Sequence, residues 1–470
     1  MKGQDMKRSI WLLPSVLFWL IGTEPVEAQA PPARDTTRIS LDAAVTRALN
    51  ESEEIALARS QLDQAESQVK QNLAQVLPQL STNLTYNRAI RTIFDDIGGP
   101  PSSEPDTAED DFSDLFEDLP FGRRNNYIAT IQLSQLLWAG GTISAAREVA
   151  RRLPSAWRSR MEEAAEDLRL DVRTAYLDAV LAEHLHQIAI DSREVADEHL
   201  QQVESFYQAG TTSEFDLLRA RVDRENREPA VVQAENAAEI AILRLKRLIN
   251  IPANQPIRLT TEFEPAATVE VREEELVRFV GQRPALQAAD DMIAMRERGV
   301  MAAKGQRFPS IRLLGNMGFQ AFPDNPVPPG LSSWREDWSV SLSVSWDPFD
   351  GFRRRGLIGE AQAQLMQAHV EEAQVKEGLD LQLAASMAEY RRSQSQLRVT
   401  EETVALAERT LELADVRFAS GLSTQLEVSD AALLLDQARV NHVQAQHAYM
   451  KALAQLERSS GGQIQLLRFQ

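Results

Sequence analysis

The strongest pattern in this chain is an alternation of apolar residues and serines in its second half. Serine occupies each position between five apolar residues, which are Trp338, Val340, Leu342, Val344 and Trp346. A period of two residues predicts a β-strand with one apolar and one polar face. A tryptophan at both ends is typical of a strand that crosses a membrane, where aromatic side chains lie at the two interfaces.

Three weaker alternating segments accompany this one. The predicted strands lie at about 79–87, 126–138, 310–320 and 337–347. Any one of them also suits a soluble sandwich, but four strands can neither bury two sheet faces nor close a barrel. Because lipid does not tolerate an open sheet edge, we expect several copies to pool their strands, and a trimer would supply twelve. The expected aromatic girdle at the membrane interfaces comprises Tyr86, Tyr127, Phe319, Trp338 and Trp346.

Apolar residues recur every three or four positions through much of the remaining chain, which predicts long amphipathic helices. At 1.5 Å per residue, each of the two longest would measure roughly 100 Å. Helices of this length need lateral packing of the coiled-coil type to be stable. The predicted helices span 41–76, 142–206 and 213–250 in the first half, and 273–307, 352–417 and 424–458 in the second.

The chain has the pattern of a tandem duplication. Leu77-Pro78-Gln79-Leu80 leads from a helix to a strand in the first half, and Phe308-Pro309-Ser310-Ile311 does so in the second. Tyr207-Gln208-Ala209-Gly210 precedes one return helix, and Phe418-Ala419-Ser420-Gly421 precedes the other, 211 positions later. The predicted organisation is a first repeat at 39–250, an irregular connector at 251–272, a second repeat at 273–458 and a tail at 459–470.

Residues 1–30 are predicted to be a secretory signal peptide. A basic start with Lys2, Lys7 and Arg8 precedes an apolar stretch at 10–22, and small residues follow it. This stretch is too short to cross a bilayer as a helix, although an N-terminal membrane anchor is the alternative. No later apolar run approaches the length of a transmembrane helix, so we expect strands to provide any membrane crossing.

The composition argues against several functions. Asp and Glu outnumber Lys and Arg by 69 to 50, and the net charge of −19 disfavours binding to nucleic acid. The chain has no cysteine, which excludes disulfides, thiolate metal sites and cysteine nucleophiles. The six histidines are scattered, and the sequence has neither a phosphate-binding loop nor a nucleophile elbow. We therefore expect no enzyme activity, no metal and no cofactor.

The order of the duplicated motifs resembles that of the TolC-like outer-membrane efflux protein family. The matching pieces are Leu77-Pro78-Gln79-Leu80 before a strand, Phe349-Asp350-Gly351 after a strand, and Phe418-Ala419-Ser420-Gly421 at a helical hairpin tip. The likeness runs from Ile39 to about Arg458. It implies a mostly α-helical homotrimer, in which a twelve-stranded β-barrel with four strands per protomer stands in the outer membrane on a periplasmic α-helical barrel.

The resemblance also implies binding partners and an export function. The channel would be surrounded by outer-membrane lipid and would extend into the periplasm. There it would dock an inner-membrane transporter through a periplasmic adaptor protein, and it would export small toxic compounds or polypeptides. The absence of a cysteine for lipidation is similar to the TolC branch of the family. The main alternative is a secreted coiled-coil scaffold or adaptor without a pore, which suits the helices better than the strands.

Acidic residues follow the second tip glycine. In TolC-like channels acids ring the pore at this place, and the matching residues here are Glu427 and Asp430. They are three positions apart and share one face of a helix. Threefold symmetry would gather six carboxylates, which favour cations. An alternative role for Glu427 is a capping box with Thr424, and Ser213 and Asp216 form a similar pair in the first half.

The tips themselves depart from the family pattern. The resemblance places polar links between neighbouring hairpins at Asp216, Phe418 and Ser423. Phe418 has no hydroxyl group with which to form such a link, and Ser423 stands where a longer basic residue can form one. We therefore expect apolar packing to replace the polar links. The adaptor is expected to dock at Gly210, Thr211, Gly421 and Leu422, although glycines here also simply end helices.

An acidic loop separates the first two predicted strands. Residues 95–118 include ten acids and no Lys, Arg or His. If the strands form a barrel, this loop faces the outside of the cell. We expect a solvated loop, and the alternative is a site for divalent cations that bridge surface lipids.

Overall fold

The computed structural model describes residues 37–91, 124–263, 273–323 and 325–461. The predicted signal peptide at 1–30 and the acidic loop at 95–118 lie outside these residues, as does the tail beyond residue 461. Within the described ranges the predicted mostly helical fold with a few strands is confirmed. In chain order the helices are α1 (Leu41–Glu51), α2 (Glu53–Ala74), α3 (Thr142–Gln208), α4 (Glu214–Leu248), α5 (Glu273–Val280), α6 (Pro284–Gly305), α7 (Arg353–Ala419) and α8 (Gln425–Ser459).

Two of the expected helices are each divided in two. The predicted helix at 41–76 breaks at Ser52, whose extended backbone ends α1 and whose hydroxyl accepts a hydrogen bond from the Ile55 amide at 3.2 Å. Ser52 therefore caps α2. The predicted helix at 273–307 breaks before Pro284, which stands in the first turn of α6. A proline disfavours helical geometry in the residue before it, and Arg283 is accordingly extended.

The long helices form two antiparallel hairpins. The first hairpin consists of α3 and α4, and the second hairpin consists of α7 and α8. α3 and α7 have 67 residues each, so each measures about 100 Å. α4 and α8 have 35 residues each. The second hairpin lies on the first through contacts of α8 with α3, while α2 and α6 also pack on α3.

The main core lies where both repeats meet near the middle of the long helices. It joins Leu168 and Val172 of α3 to Leu453 of α8 and Leu383 of α7. Tyr176 is fully buried there, donates a hydrogen bond to the Ile39 carbonyl at 2.9 Å and accepts one from the Thr261 amide at 3.0 Å. This tyrosine therefore fixes the connector between the repeats on α3.

The strands form two sheets. In chain order they are β1 (Thr37–Ile39), β2 (Gln79–Arg88), β3 (Asn125–Ala139), β4 (Ile257–Leu259), β5 (Ser310–Ala321) and β6 (Arg335–Ser345). β1 and β4 pair in parallel beside the core, and the other four form an antiparallel sheet in the order β2-β3-β5-β6. None of the helices within the described ranges combines the length and the apolarity needed to cross a membrane.

Candidate functional site

The register of the four-stranded sheet collects apolar side chains on one face. Leu84 of β2, Ala129 of β3 and Phe319 of β5 lie side by side. Because side chains alternate along a strand, this face continues at every second position. Val340 on the same face is 80% exposed, so the described residues leave this part of the face without apolar cover. Its further members are Leu80, Tyr86, Tyr127, Ile131, Leu133, Leu313, Met317, Trp338, Leu342 and Val344.

The opposite face of this sheet is mainly polar. It pairs Asn83 with Thr130 and Ser134 with Leu314, and Leu314 in turn pairs with Ser341. Ile128, Leu136 and Leu314 are its apolar exceptions. A sheet with one apolar and one polar face is the pattern of a barrel that separates lipid from a wet interior. Its other polar members are Ser81, Thr85, Gln132, Arg312, Asn316, Gln320, Ser339 and Ser343.

Aromatic residues lie at both ends of the apolar face. At one end the rings of Tyr86 and Tyr127 are 4.6 Å apart, and Trp334 lies 6.4 Å from Tyr127. At the other end Trp138 lies 6.2 Å from Phe308. The aromatic girdle predicted from the sequence does not include Trp138, Trp334 or Phe308, although Trp138 stands at the end of a predicted strand.

The other predicted girdle residues are placed by the register. The Trp346 indole donates to the Arg307 carbonyl at 3.2 Å, at the junction of sheet and helices. Phe319, two residues before the end of β5, lies opposite Glu336, and Trp338, three residues after the start of β6, lies opposite Met317. Their role at a membrane interface stays a prediction.

The two outer strands of the sheet have unpaired edges. Among the described residues β2 pairs only with β3, and β6 pairs only with β5. Every residue of β2 and β6 is exposed in the single chain. These edges therefore offer two rows of free backbone N–H and C=O groups for further strands.

The first hairpin tip is a glycine turn followed by a capping box. Gly210 has a φ of +75°, and the Thr211 amide donates to the Phe206 carbonyl at 2.9 Å, which closes the end of α3. Asp216 accepts a hydrogen bond from the Ser213 hydroxyl at 2.6 Å, and the Asp216 amide donates to that hydroxyl at 3.2 Å. The hydrogen bond from Ser213 lowers the pKa of Asp216. Within one protomer, Asp216 therefore caps α4.

The second hairpin tip repeats the turn without the cap. Gly421 has a φ of +70°, and the Leu422 amide donates to the Arg417 carbonyl at 2.8 Å. The Ser423 hydroxyl reaches the Ala414 carbonyl of its own hairpin at 3.4 Å. The residues predicted to dock an adaptor are exposed at both tips, with Leu422 at 72%.

The two acids after this tip lie exposed on α8. Glu427 and Asp430 face solvent, while Val428 between them is buried. The predicted capping box with Thr424 is wrong, because the Thr424 side chain makes no cap hydrogen bond. The described residues hold no group of three or more acids and histidines that could bind a metal ion. Both carboxylates are exposed in the single chain, and their place at a pore stays a prediction.

Phe418 connects the two tips. Its ring lies 5.8 Å from Phe206 of α3 and packs against the apolar cluster of Val203, Leu217 and Ala220. In one chain the two hairpins therefore meet at their tips through apolar packing.

His199 lies in the same contact. Its ring is 5.5 Å from Phe418. Burial lowers the pKa of His199, although Asp415 and Asp223 oppose this shift. Burial also disfavours the charged form of Asp415 and therefore raises its pKa. A neutral imidazole thus packs between the hairpins.

The sequence profile described as outer membrane efflux protein matches residues 44–250 and 277–462. These two segments make up most of the chain and coincide with its two helical hairpins and their strands. The chain belongs to the outer membrane efflux protein family. The family that the motifs at the hairpins and strands predicted is therefore confirmed.

Individual members of the outer membrane efflux protein family are similar to this chain. Protein CyaE from Bordetella pertussis is 27% identical over 270 residues, which are 55% of this chain and 54% of CyaE. The chain thus matches about half the length of this curated relative. The Campylobacter jejuni CmeC outer membrane channel has a TM-score of 0.73 at 18% identity and covers 90% of this chain and 85% of CmeC.

The outer membrane protein VceC from Vibrio cholerae also has a TM-score of 0.73. It is 19% identical, and the match covers 90% of this chain and 96% of VceC. At this level of identity the likeness shows the fold. The predicted TolC-like fold of the efflux channel is confirmed.

Proposed function

We propose that three copies of this efflux protein close into one export duct that crosses the outer membrane and the periplasm. The observation that carries the proposal is the four-stranded sheet, which has one apolar face and two unpaired edges. An open edge is not tolerated in lipid, so edge β2 of one copy must pair with edge β6 of the next. Three copies give twelve strands, enough for an open lumen.

The dimensions of the sheet support this placement. Tyr127 and Trp138 stand at opposite ends of the apolar part of β3. Their separation along the strand is about 36 Å at 3.3 Å per residue, or about 28 Å after a tilt of about 40°. An outer-membrane barrel presents an apolar band about 25 Å tall between its aromatic girdles.

The helices also carry surfaces for neighbouring copies. Val399, Leu406 and Leu413 follow one another at seven-residue intervals on α7, and all three are exposed in the single chain. Phe215 and Val222 on α4 have the same spacing and exposure. A seven-residue apolar repeat is the seam of packed parallel helices. Neighbouring protomers would therefore bury these stripes in a periplasmic helical barrel.

Glu427 and Asp430 are proposed to narrow the pore near the tips. Both carboxylates are exposed in the single chain and lie on the first turns of α8. Six such groups around a threefold axis would favour cations. Arg417 lies at 4.0 Å from Glu427, and both side chains are more than half exposed, so this pair neutralises little of the charge.

The exposed tips are proposed to dock a periplasmic adaptor protein, which links the duct to an inner-membrane transporter. The docking residues would be Gly210, Thr211, Gly421 and Leu422. The cargo would be small toxic compounds or polypeptides, which the transporter selects. A photo-crosslinking residue at Leu422 should capture an additional polypeptide in native membranes, whereas one at Ile90, which is 92% exposed beside the sheet, should not.

Mass and conductance of the purified protein test the trimeric duct. We expect a homotrimer by light scattering in detergent and discrete conductance steps in a planar bilayer. A monomer that stays in aqueous solution without detergent, or a folded and inserted protein without conductance, would favour the scaffold without a pore.

A further inference from the structure

Exposed aromatic residues surround the junction where the sheet meets the start of α7. Phe308, Trp346 and Phe349 are each more than half exposed, and so is Phe352. Phe349 stands 211 positions after Trp138 and matches it in the duplicated pattern, and Trp138 lies on the apolar face of the sheet. The apolar face therefore continues beyond the strand ends into this junction.

The same junction is rich in basic residues. Three arginines, Arg353, Arg354 and Arg355, open α7, while Lys304 and Arg307 stand at the end of α6 and just beyond it. Segments 304–309 and 346–356 together hold five bases and two acids, although acids outnumber bases in the whole chain. A local excess of positive charge on an acidic protein attracts anions to this place.

The fold uses only some of these bases. Arg354 Nε donates to Asp350 Oδ2 at 2.8 Å, and Arg354 Nη1 donates to the Gln306 carbonyl at 3.3 Å, so this arginine ties α7 to the end of α6. Arg353 lies 4.0 Å from Asp350, and its side chain is 63% exposed. Arg355 and Arg307 are exposed as well. We name Arg307, Arg353 and Arg355 the arginine patch, because their guanidinium groups are accessible to a ligand.

The duplication shows that helix formation does not require these charges. The three positions of the first repeat that match the arginines are Thr142, Ile143 and Ser144, which are uncharged. α3 nevertheless begins there and has 67 residues, as α7 does. The arginine run is therefore a property of the second repeat alone, present once in each protomer.

The arginine patch and the aromatic residues border one hollow. Its volume is about 190 Å³, and its lining includes Phe308, Trp346 and Arg353. An anionic phospholipid suits both parts of this lining, because its phosphate accepts hydrogen bonds from guanidinium groups and aromatic rings lie at the level of lipid headgroups. A zwitterionic lipid adds an ammonium group, which the excess of bases repels.

We infer that the arginine patch and the exposed aromatic residues beside it bind the headgroup of an anionic phospholipid in the periplasmic leaflet of the outer membrane. The inference rests on the proposed duct, in which the sheet crosses the membrane and the helices stand in the periplasm. The junction between them then lies level with the headgroups of that leaflet. Each protomer provides one site, so a trimer binds three such lipids and is held by them at a fixed depth.

Lipid binding to the full-length protein tests the inference. Native mass spectrometry from a nonionic detergent would count bound phosphatidylglycerol or phosphatidylethanolamine with the same acyl chains. We expect up to three tightly bound phosphatidylglycerol molecules per trimer, with an affinity at least tenfold above that for phosphatidylethanolamine. Arg353→Gln combined with Arg355→Gln should weaken phosphatidylglycerol binding about tenfold or more, because each base beside an anionic lipid contributes about 1 kcal/mol.

Matched variants separate charge from apolar contact. Arg391→Gln combined with Arg398→Gln also removes two exposed arginines of α7, but more than about 50 Å along the helix from Arg355, and should leave lipid binding unchanged. Phe349→Ala combined with Phe352→Ala should weaken the binding of both lipids, because it removes rings and no charge.

The outcomes distinguish the lipid from other ligands and from the duct. Equal affinity of the unmodified protein for the two lipids, or an equal loss in the distant arginine variant, would overturn the inference. Displacement of phosphatidylglycerol by inorganic phosphate at matched ionic strength would also overturn it, in favour of a site for free phosphate. A monomer that still prefers phosphatidylglycerol would refute the proposed trimeric duct and support the arginine patch.

Discussion

The backbone of Gly140 touches the backbone of Gly305. A β-carbon on Gly305 would lie 1.5 Å from the Gly140 carbonyl oxygen, and one on Gly140 would lie 2.0 Å from the Gly305 carbonyl oxygen. Gly140 ends the turn out of β3, and Gly305 ends α6 just before β5. This contact therefore fixes the sheet to the helices at the point where the two repeats adjoin.

Gly305→Ala should destabilise the protein, because neither backbone can yield to the added methyl group. We expect the free energy of unfolding in detergent to fall by at least about 2 kcal/mol, within the range for overpacking. Gly299→Ala in the same helix is the control. A β-carbon there meets nothing within 4 Å, so the variant should be neutral or more stable. Equal losses in the two variants would contradict the backbone contact.

Arg283→Met should remove one of the two cations that contact Glu163 in a buried charge cluster. The Arg283 side chain is 1% exposed and pairs with Glu163, which also accepts from Arg458 at 2.9 Å. A buried charge without a partner costs about 3 kcal/mol, and because Arg458 stays beside Glu163 we expect a smaller loss, which denaturant titration would detect. Arg298→Met changes an exposed arginine of α6, the helix that follows Arg283, and should shift stability by less than about 0.5 kcal/mol.

His199 should make the tip contact sensitive to acid. Its folded-state pKa is lowered by burial, whereas an unfolded chain binds the proton near pH 6.5. As pH falls from about 6.5 to the lowered value, only the unfolded chain gains a proton, so stability falls and then levels off. Asp415 and Asp223 oppose the shift, and Arg227 adds to it.

Thermal unfolding midpoints between pH 7.5 and 5 would measure this slope. The His199→Asn variant should show a smaller slope than the unmodified protein. The remaining slope includes His184, whose pKa is also lowered by burial. His369→Asn changes an exposed histidine and is the control. A slope that is identical with and without His199 would show that its packing does not depend on the neutral form.

Phe418→Ala should loosen the contact between the two tips. The ring is partly buried between Phe206 and the cluster around Val203, and its loss should cost about 2 kcal/mol locally. Amides at the start of α4 should then exchange more than tenfold faster. Phe349→Ala removes a ring that is 76% exposed at the sheet and should leave this exchange unchanged.

Glu427→Gln combined with Asp430→Asn should weaken the preference of the pore for cations. The double variant removes six charges from a trimer, and reversal potentials in a salt gradient would measure the change. Glu401→Gln is a control, because this exposed acid of α7 lies about 30 Å along the helix from the tip, beyond the Debye length. Unchanged selectivity in the double variant would place the two acids away from the pore.

Local patterns in the sequence were sufficient to predict the sheet and the long helices. The alternation at 338–346 predicts a strand with an apolar face, and β6 covers most of it. The breaks at Ser52 and Pro284 had recognisable signals, a capping serine before two acids and a proline in a first turn, but continuous helical periodicity outweighed them. Short-range physics therefore determines most element boundaries in this chain.

Long-range contacts could not be predicted in this way. Arg227 and Asp436 are 209 positions apart, and no spacing rule connects an arginine of one hairpin with an aspartate of the other. The mutual approach of Gly140 and Gly305 likewise depends on how β3 meets α6. Thr424 and Glu427 show the opposite error, because a favourable spacing did not produce a capping box. Packing of whole helices decides these contacts.

The unpaired edges of β2 and β6 have a consequence for biogenesis. A lone protomer that entered a bilayer would leave two rows of backbone groups without hydrogen bonds, each at a cost of several kcal/mol. Insertion and oligomer assembly must therefore be a single concerted event, and its rate should depend steeply on the concentration of newly exported chains. Until then, the exposed apolar face and the unpaired edges of the sheet favour aggregation of the chain.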